Sequence, residues 1–347
     1  MNLSGGHLNQ SNLTASALSG SNLSGSYLRS AWLIDCLMVG AKMVNADLTG
    51  ADLHGANLNG SDLSGAILAR SQMSKVMLND AHLIKADLTE ADLSDAYLSG
   101  ADLTDARLFR TDLSGANLQG IYLISANLIG AHVSWADLSK GYLSRGQFSR
   151  AELYSTDLSG AELSDADFTR SYLMRANLAG ANLKGASLDY ADLTEAKLMG
   201  ASLNSAKLPY ADLTRANLTG ADLSNADLTS VRLMGSILQK VKLARVDLRE
   251  IDLRGVDLSE ASLKSANLAL VFLTNANMRG ADLRDAIFNQ VEMTGVDLTG
   301  ANLEGIKYDQ FTLYSLSNAK LEGAKMSENL KADLASLLGG ANVSSLS

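Results

Sequence analysis

Every fifth residue from Leu3 to Leu313 is apolar, with Leu at the large majority of these 63 positions and Met, Phe, Val or Tyr at the rest. The residue two before each centre is small, as at Ala46, Ala51, Ala56, Ser61 and Ala66, apart from larger exceptions at Val241, Val246, Ile251 and Val256. Asp or Asn usually precedes the centre, Ser or Thr often follows it, and Gly often comes next. A period of five matches neither the 3.6 of a helix nor the 2 of a plain strand. Each unit is therefore predicted to be a strand fragment and a corner. The centre and the small residue two before it face inward, the Asp or Asn between them faces solvent, and the last two residues turn the chain. Glycine at the second turn position suits a type II turn, which needs positive φ there. A chain that turns at every fifth residue closes into stacked coils, Leu over Leu and Ala over Ala.

The consensus A-(D/N)-L-(S/T)-G, seen in SDLSGAILAR, ADLTGADLHG and ANLTGADLSN, resembles the pentapeptide-repeat protein family over residues 1 to about 315. The resemblance implies an all-β fold: a right-handed quadrilateral β-helix with four pentapeptides per coil, so that residues 20 apart stack, as the like pairs Tyr122 with Tyr142, Tyr190 with Tyr210 and Arg150 with Arg170 suggest. At that pitch the repeat makes roughly 15–16 coils, a rod about 75 Å long at about 4.8 Å per coil. Its stability is expected to be one-dimensional, each coil resting on its neighbours.

Solenoid ends expose unpaired edges that must be covered. The expected division is a β-helix over 1–315 and a C-terminal cap over 316–347, with Tyr308, Phe311, Leu313, Tyr314 and Leu316 laid over the last coil. A short amphipathic helix is predicted at about 327–338, with Ser327 as N-cap, Leu330, Leu334, Leu337 and Leu338 on one face and Gly339 past its end. The first coil is expected to be uncapped, its edge either tolerated because it is rich in Ser and Gly or covered by another chain. Leu3 and Leu8, with a patch of Trp32, Ile34, Leu37, Val39 and Val44, are the candidate N-terminal contact, through which a homodimer would form end to end.

Composition narrows the functional classes. The 347 residues contain one cysteine, so no intramolecular disulfide framework exists, and the first residues lack a signal-peptide pattern. A reducing cytoplasm is the expected compartment. No apolar run is long enough to span a membrane. His7, His54, His82 and His132 fall in four different stacking columns, so no histidine metal site is expected. Cys36 takes an inward position as a small hydrophobe. Asp92 with Asp112 and Asp192 with Asp212 stack as carboxylate pairs, but an Asx side chain at that place is expected to serve the turn backbone. Glycine-rich stretches such as GADLHGANLNG lack phosphate-loop spacing. The chain is read as no enzyme, with no cofactor and no metal.

The informative residues are outward positions that break the polar rule. One broad side gathers Phe109, Ile129, Trp135, Tyr154, Tyr172, Met174, Tyr190 and Tyr210, with Arg110, Arg150, Arg170 and Arg175 among them. Aromatic residues with arginine are the composition of interface hot spots. The expected function is a non-enzymatic scaffold or regulator that binds protein partners along a rigid face. Because some members of the resembled family mimic duplex DNA and act on type II topoisomerases, that is one alternative. Its magnitude is poor: net charge −9 over about 75 Å is one charge per about 8 Å, against about 1.7 Å for duplex DNA. An acidic column does exist, with Asp52, Asp92, Asp112, Glu152, Asp192, Asp212, Asp252 and Glu292, but Arg70, Arg110, Arg150 and Arg170 run beside it. Nucleic-acid binding by Arg232, Lys240, Lys242, Arg245, Arg249 and Arg254 is disfavoured, since these scatter among Asp247, Glu250 and Asp252. The repeats resemble those abundant in cyanobacteria, which implies a second alternative, a structural linker in a large, photosynthetic assembly.

Overall fold

The structure is a computed structural model that describes residues 1–338. Gly339, expected just past the last helix, lies outside the described residues. The chain forms two compact units, Met1–Asn182 and Leu183–Ser347.

In the first unit every rung is a parallel bridge between a residue and the one 20 later, from Asn2 with Asn22 to Glu162 with Asn182. A bend follows each rung, so one coil has four corners, and the unit is a β-helix solenoid. Each coil bonds in both directions: the Leu63 N–H donates to the His82 carbonyl at 2.7 Å, and the His82 N–H donates to Ser61 at 2.9 Å. At the corner between them the Ala66 N–H closes a turn on the Leu63 carbonyl at 2.9 Å.

The third residue of each turn has positive φ and the second does not, which is type II rather than type I′. Glycine fills that place at Gly65 (φ 67°) and Gly115 (φ 70°), yet Arg70 (59°), Asp95 (55°) and Trp135 (65°) adopt the same conformation. A left-handed L-residue costs about 1–2 kcal/mol. The coil-to-coil bonds on either side of each corner hold it there, so glycine is favoured without being required.

The polar residue before each centre caps its own corner. The Ser64 N–H donates to Asp62 Oδ1 at 3.0 Å, Ser94 to Asp92 at 2.9 Å and Thr104 to Asp102 at 2.9 Å. Inside, the centres are buried leucines. Where a hydroxyl takes the small inward place it donates to a backbone carbonyl, Ser71 to Leu68 and Thr111 to Leu88, both at 2.7 Å. Cys36 does the same, its Sγ lying 2.8 Å from the Leu13 carbonyl, and burial pushes its thiol pKa up.

The second unit keeps the register, as in Ser187 with Lys207 and Asp222 with Lys242, but one stretch departs from it. Among the described residues, the rungs due between Asp227 and Asp247 and between Arg232 and Asp252 are not made, although Asp222–Lys242 and Ile237–Asp257 on either side are. A cleft of about 610 Å³ opens there, lined by Thr229 to Met234 on one lip and by Asp247 and Arg249 to Asp252 on the other. Val231, Val246 and Ile251 occupy the inward places that alanine holds elsewhere. Val241 and Val256 fill the same kind of place beside rungs that are made, so bulkier inward residues run through the opened stretch and its neighbours alike.

At its C-terminal end the solenoid is capped by two helices where the sequence predicted one. The last regular pairing joins β1 (Ile287–Phe288) to β2 (Lys307–Tyr308) in parallel. The chain then enters α1, Gln310–Leu316, N-capped by Asp309, whose Oδ1 accepts the Thr312 N–H at 2.8 Å. Leu313 is in phase with the repeat yet lies in this helix. The expected cover is therefore corrected: Thr312, Leu313, Ser315 and Leu316 are buried, whereas Phe311 and Tyr314 face outward, 54% and 65% exposed. The hydroxyls of Thr312 and Ser315 accept the N–H groups of Val291 and Met293, and Asp309 accepts that of Gln290. Helix side chains thus satisfy edge donors that a further coil would otherwise take. Beyond α1, Lys320 and Lys325 bridge to Asp297 and Asn302, a step of 23 where the repeat steps by 20. α2, Glu328–Leu337, starts at Ser327, whose Oγ accepts the Leu330 N–H at 3.3 Å. Leu330 and Leu334 are buried, but Leu337 and Leu338, expected on the same face, are exposed. Tyr308 donates to Asp333 of α2 at 2.6 Å, and burial, then this bond, pushes the phenol up to about 12.

Candidate functional site

Each outward residue of the expected face is placed by its position in the five-residue unit, so the coil register decides which of them meet. In the first unit Trp135 is the third residue of its turn, at φ 65°, and is 64% exposed. Its N–H donates to the Tyr154 carbonyl at 3.0 Å, which sets the Tyr154 ring one coil on. The two rings meet edge to face, centroids 5.0 Å apart at 70°. Arg175 lies on the next coil, its guanidinium 5.9 Å from the Tyr154 ring centre and its Nη1 donating to Tyr154 Oη at 2.8 Å. Met174 bonds through its carbonyl to the Ser155 N–H, and both it and Tyr172 are exposed. Trp135, Tyr154, Tyr172, Met174 and Arg175 therefore form one continuous surface over three coils.

Phe109, Arg110, Ile129, Arg150 and Arg170 line the preceding corner of the same coils. Phe109 and Ile129 are half-buried, and the Arg110 guanidinium lies 5.0 Å from the Phe109 ring centre. Between this corner and the aromatic one runs a column containing Asp112, His132, Glu152 and Tyr172 in successive rungs. His132 Nδ1 sits 2.9 Å from Glu152 Oε2. Sequence reasoning treated that histidine and that glutamate separately. Their spacing of 20 residues was the signal that joins them.

Tyr190 and Tyr210 belong to the second unit. They stack on each other with centroids 4.8 Å apart at 9°, both about half exposed. Of the N-terminal candidates, Leu3 and Leu8 are half-buried although later centres are buried. Trp32 and Leu37 are 54% and 51% exposed. Trp32 and Ile34 share one side of their coil while Leu37 and Val39 take the next, so the expected patch is divided over a corner.

The chemistry of the remaining candidates is absorbed by the repeat. Asp92 and Asp112 are rung partners, as are Asp192 and Asp212, and each accepts the backbone N–H two residues on at 2.9–3.0 Å. These carboxylates are turn caps. His7 stacks on Tyr27 at 5.0 Å, and His54 lies 2.8 Å from the Ser74 hydroxyl. Among the described residues no three His, Cys, Asp or Glu converge as metal ligands, and no helix is long and apolar enough to cross a membrane.

Comparison with known proteins follows the same pattern. The family model described as Pentapeptide repeats (8 copies) matches overlapping segments that run from residue 2 to residue 305. No curated protein matches the chain. Among solved structures, it is similar to HetL, a pentapeptide repeat protein involved in heterocyst differentiation regulation from the cyanobacterium Nostoc sp. strain PCC 7120. The identity is 36% over 61% of this chain and 90% of that one, with a TM-score of 0.35. A trypsin-treated form of QnrB1, a plasmid-mediated fluoroquinolone resistance protein, aligns at 16% identity over 70% and 95%, TM-score 0.26. A thylakoid lumen protein of Arabidopsis thaliana aligns at 25% over 46% and 88%, TM-score 0.15.

Proposed function

The chain belongs to the pentapeptide repeat family, and on that premise we propose that it is a non-catalytic scaffold or regulator that holds a protein partner. The partner would lie on the side of the first unit that carries Trp135, Tyr154, Tyr172, Met174 and Arg175. One observation carries the reading. Trp135 stands 64% exposed at a corner where glycine would relieve the backbone, and it is locked against Tyr154 rather than folded down onto the coil. A rigid aromatic with an arginine beside it gives large contact area at small cost in side-chain ordering. Tyr190 and Tyr210 offer the second unit's own contact of the same kind.

DNA mimicry draws less support. The acidic column is broken in the first unit by Gln72, His132 and Tyr172 and in the second by Arg232 and Phe272. Arg232 pairs with Asp212 at 3.1 Å and Arg254 with Asp252 at 2.8 Å, and His132 sits on Glu152. A column so interrupted presents no run of uncompensated charge like a phosphate backbone.

The test is affinity capture with the wild-type chain and with W135S/Y154S/Y172S. The reading expects a partner retained by the wild type and lost from the triple variant, whose circular dichroism and melting stay unchanged because all three side chains are outward. Equal retention by the two would refute it.

A further inference from the structure

We infer that the partner bound by this side of the first unit is an acidic protein segment, its carboxylates seated against Arg110 and Arg150 and an apolar residue against Trp135 and Tyr154. The inference rests on the reading above and adds the partner's chemistry to it.

Arginines of this chain are as a rule neutralised by its own carboxylates. Nine hold an Asp or Glu oxygen within 4.0 Å, among them Arg70 on Glu90 at 3.1 Å and Arg107 on Asp87 at 3.9 Å. Among the described residues Arg110 and Arg150 have no such ion pair, and neither do Arg145 and Arg245 at other corners. Arg110 and Arg150 both occupy the third place of a turn, at φ 54° and 58°, in the same column two coils apart. Two rungs correspond to about 10 Å. Gly130 stands between them, and a Cβ there would lie 3.6 Å from Arg110 Cγ. Gly130 therefore puts no side chain between the two arginines, and the Arg110 stem lies against it. The Arg110 guanidinium rests over the Phe109 ring, 5.0 Å from its centre.

The carboxylates of the adjoining column are already engaged. Glu152 faces His132 at 2.9 Å, and Asp112 accepts the Ser114 N–H at 2.9 Å. In a chain of net charge −9, Arg110 and Arg150 are two cations held at a fixed spacing with no ion pair of their own. Guanidinium binds carboxylate through a paired, planar set of hydrogen bonds, so the complementary group is an acidic side chain. The aromatic corner borders the other edge of the same side, which adds the requirement for an apolar anchor.

The experiment is selection of a randomised ten-residue display library against the immobilised full chain. The recovered peptides are then titrated against the wild type, R110Q/R150Q and W135S/Y154S/Y172S. The expected peptides carry net negative charge and an apolar residue, bind R110Q/R150Q at least tenfold more weakly, and weaken as salt is raised. Recovery of neutral or basic peptides that lose binding to W135S/Y154S/Y172S but not to R110Q/R150Q overturns the acidic partner and leaves the face standing. Recovery of no peptide sensitive to either variant overturns both. Circular dichroism of each variant confirms that a lost signal is a lost contact, since all five side chains point outward.

Discussion

Gly146 and Phe148 show how single residues are balanced inside a coil. Phe148 fills a centre that leucine fills elsewhere and stacks on Phe168 at 4.8 Å. The inward place two before it is glycine instead of alanine. A Cβ on Gly146 would come within 2.7 Å of the Phe148 ring and 3.0 Å of the Leu143 carbonyl. Overfilling a packed core costs about 1–3 kcal/mol. Gly146→Ala is therefore expected to lower the urea midpoint by an amount in that range, and adding Phe148→Leu should recover most of it. An unchanged midpoint for the single variant would show that the coil has slack the structure does not display. This compensation was readable in the sequence only as a glycine out of place. The five-residue period shows that Gly146 faces inward, but the ring contact that explains it needs coordinates. The same holds for Trp135. Its exposure follows from its place in the repeat, whereas its edge-to-face contact with Tyr154 depends on the ring orientations of neighbouring coils.

The corner is the recurring element, and its electrostatics set the response to acid. Asp47 is nearly buried; burial raises its pKa, but hydrogen bonds from Thr49 and Arg29 outweigh it, and the carboxyl stays below its ordinary value. Asp167 and Asp222 follow the same balance, with Ser149 and Ser224 as their main partners. At Asp252 the bond from Arg254 is the largest influence and lowers it directly. A carboxylate whose folded pKa lies below its unfolded one contributes stability that is complete above the unfolded value, about 4, and is lost as pH falls through the folded value. Melting temperature followed from pH 7 to pH 3 is expected to hold steady to about pH 4 and then drop. A flat profile to pH 3 would mean that these corner bonds add nothing. At the level of elements, the solenoid was legible because a strict period repeats one physical choice along the chain. α1 was not, because Leu313 keeps the apolar phase while Asp309 caps a helix: the period survives in the sequence where the backbone has already left it. The opened rungs in the second unit were not legible, since Val246 and Ile251 stand out in the alanine column no more than Val241 and Val256, whose rungs are made.

At the scale of each unit, the register converts sequence distance into contact: residues 20 apart become neighbours, and each coil rests on those beside it. Many of the Asp and Asn side chains of the outer surface are spent on capping their own turns. What is left over is local. In the first unit it is the strip from Trp135 to Arg175 with Arg110 and Arg150 across from it, and in the second it is the Tyr190–Tyr210 stack. The sequence located these residues because they break the polar rule. It could not rank them, since ion pairing and ring contacts separate a cation neutralised within the chain from one left open. The most direct test of the account is hydroxyl-radical footprinting of the chain alone and in complex with a captured partner. Protection of Trp135, Tyr154, Tyr172 and Met174 is the predicted result, with Tyr97, Tyr122 and Tyr142, which are exposed in other columns of the same unit, unchanged. Protection of Tyr97, Tyr122 or Tyr142 while Trp135 and Tyr154 stay open would contradict it.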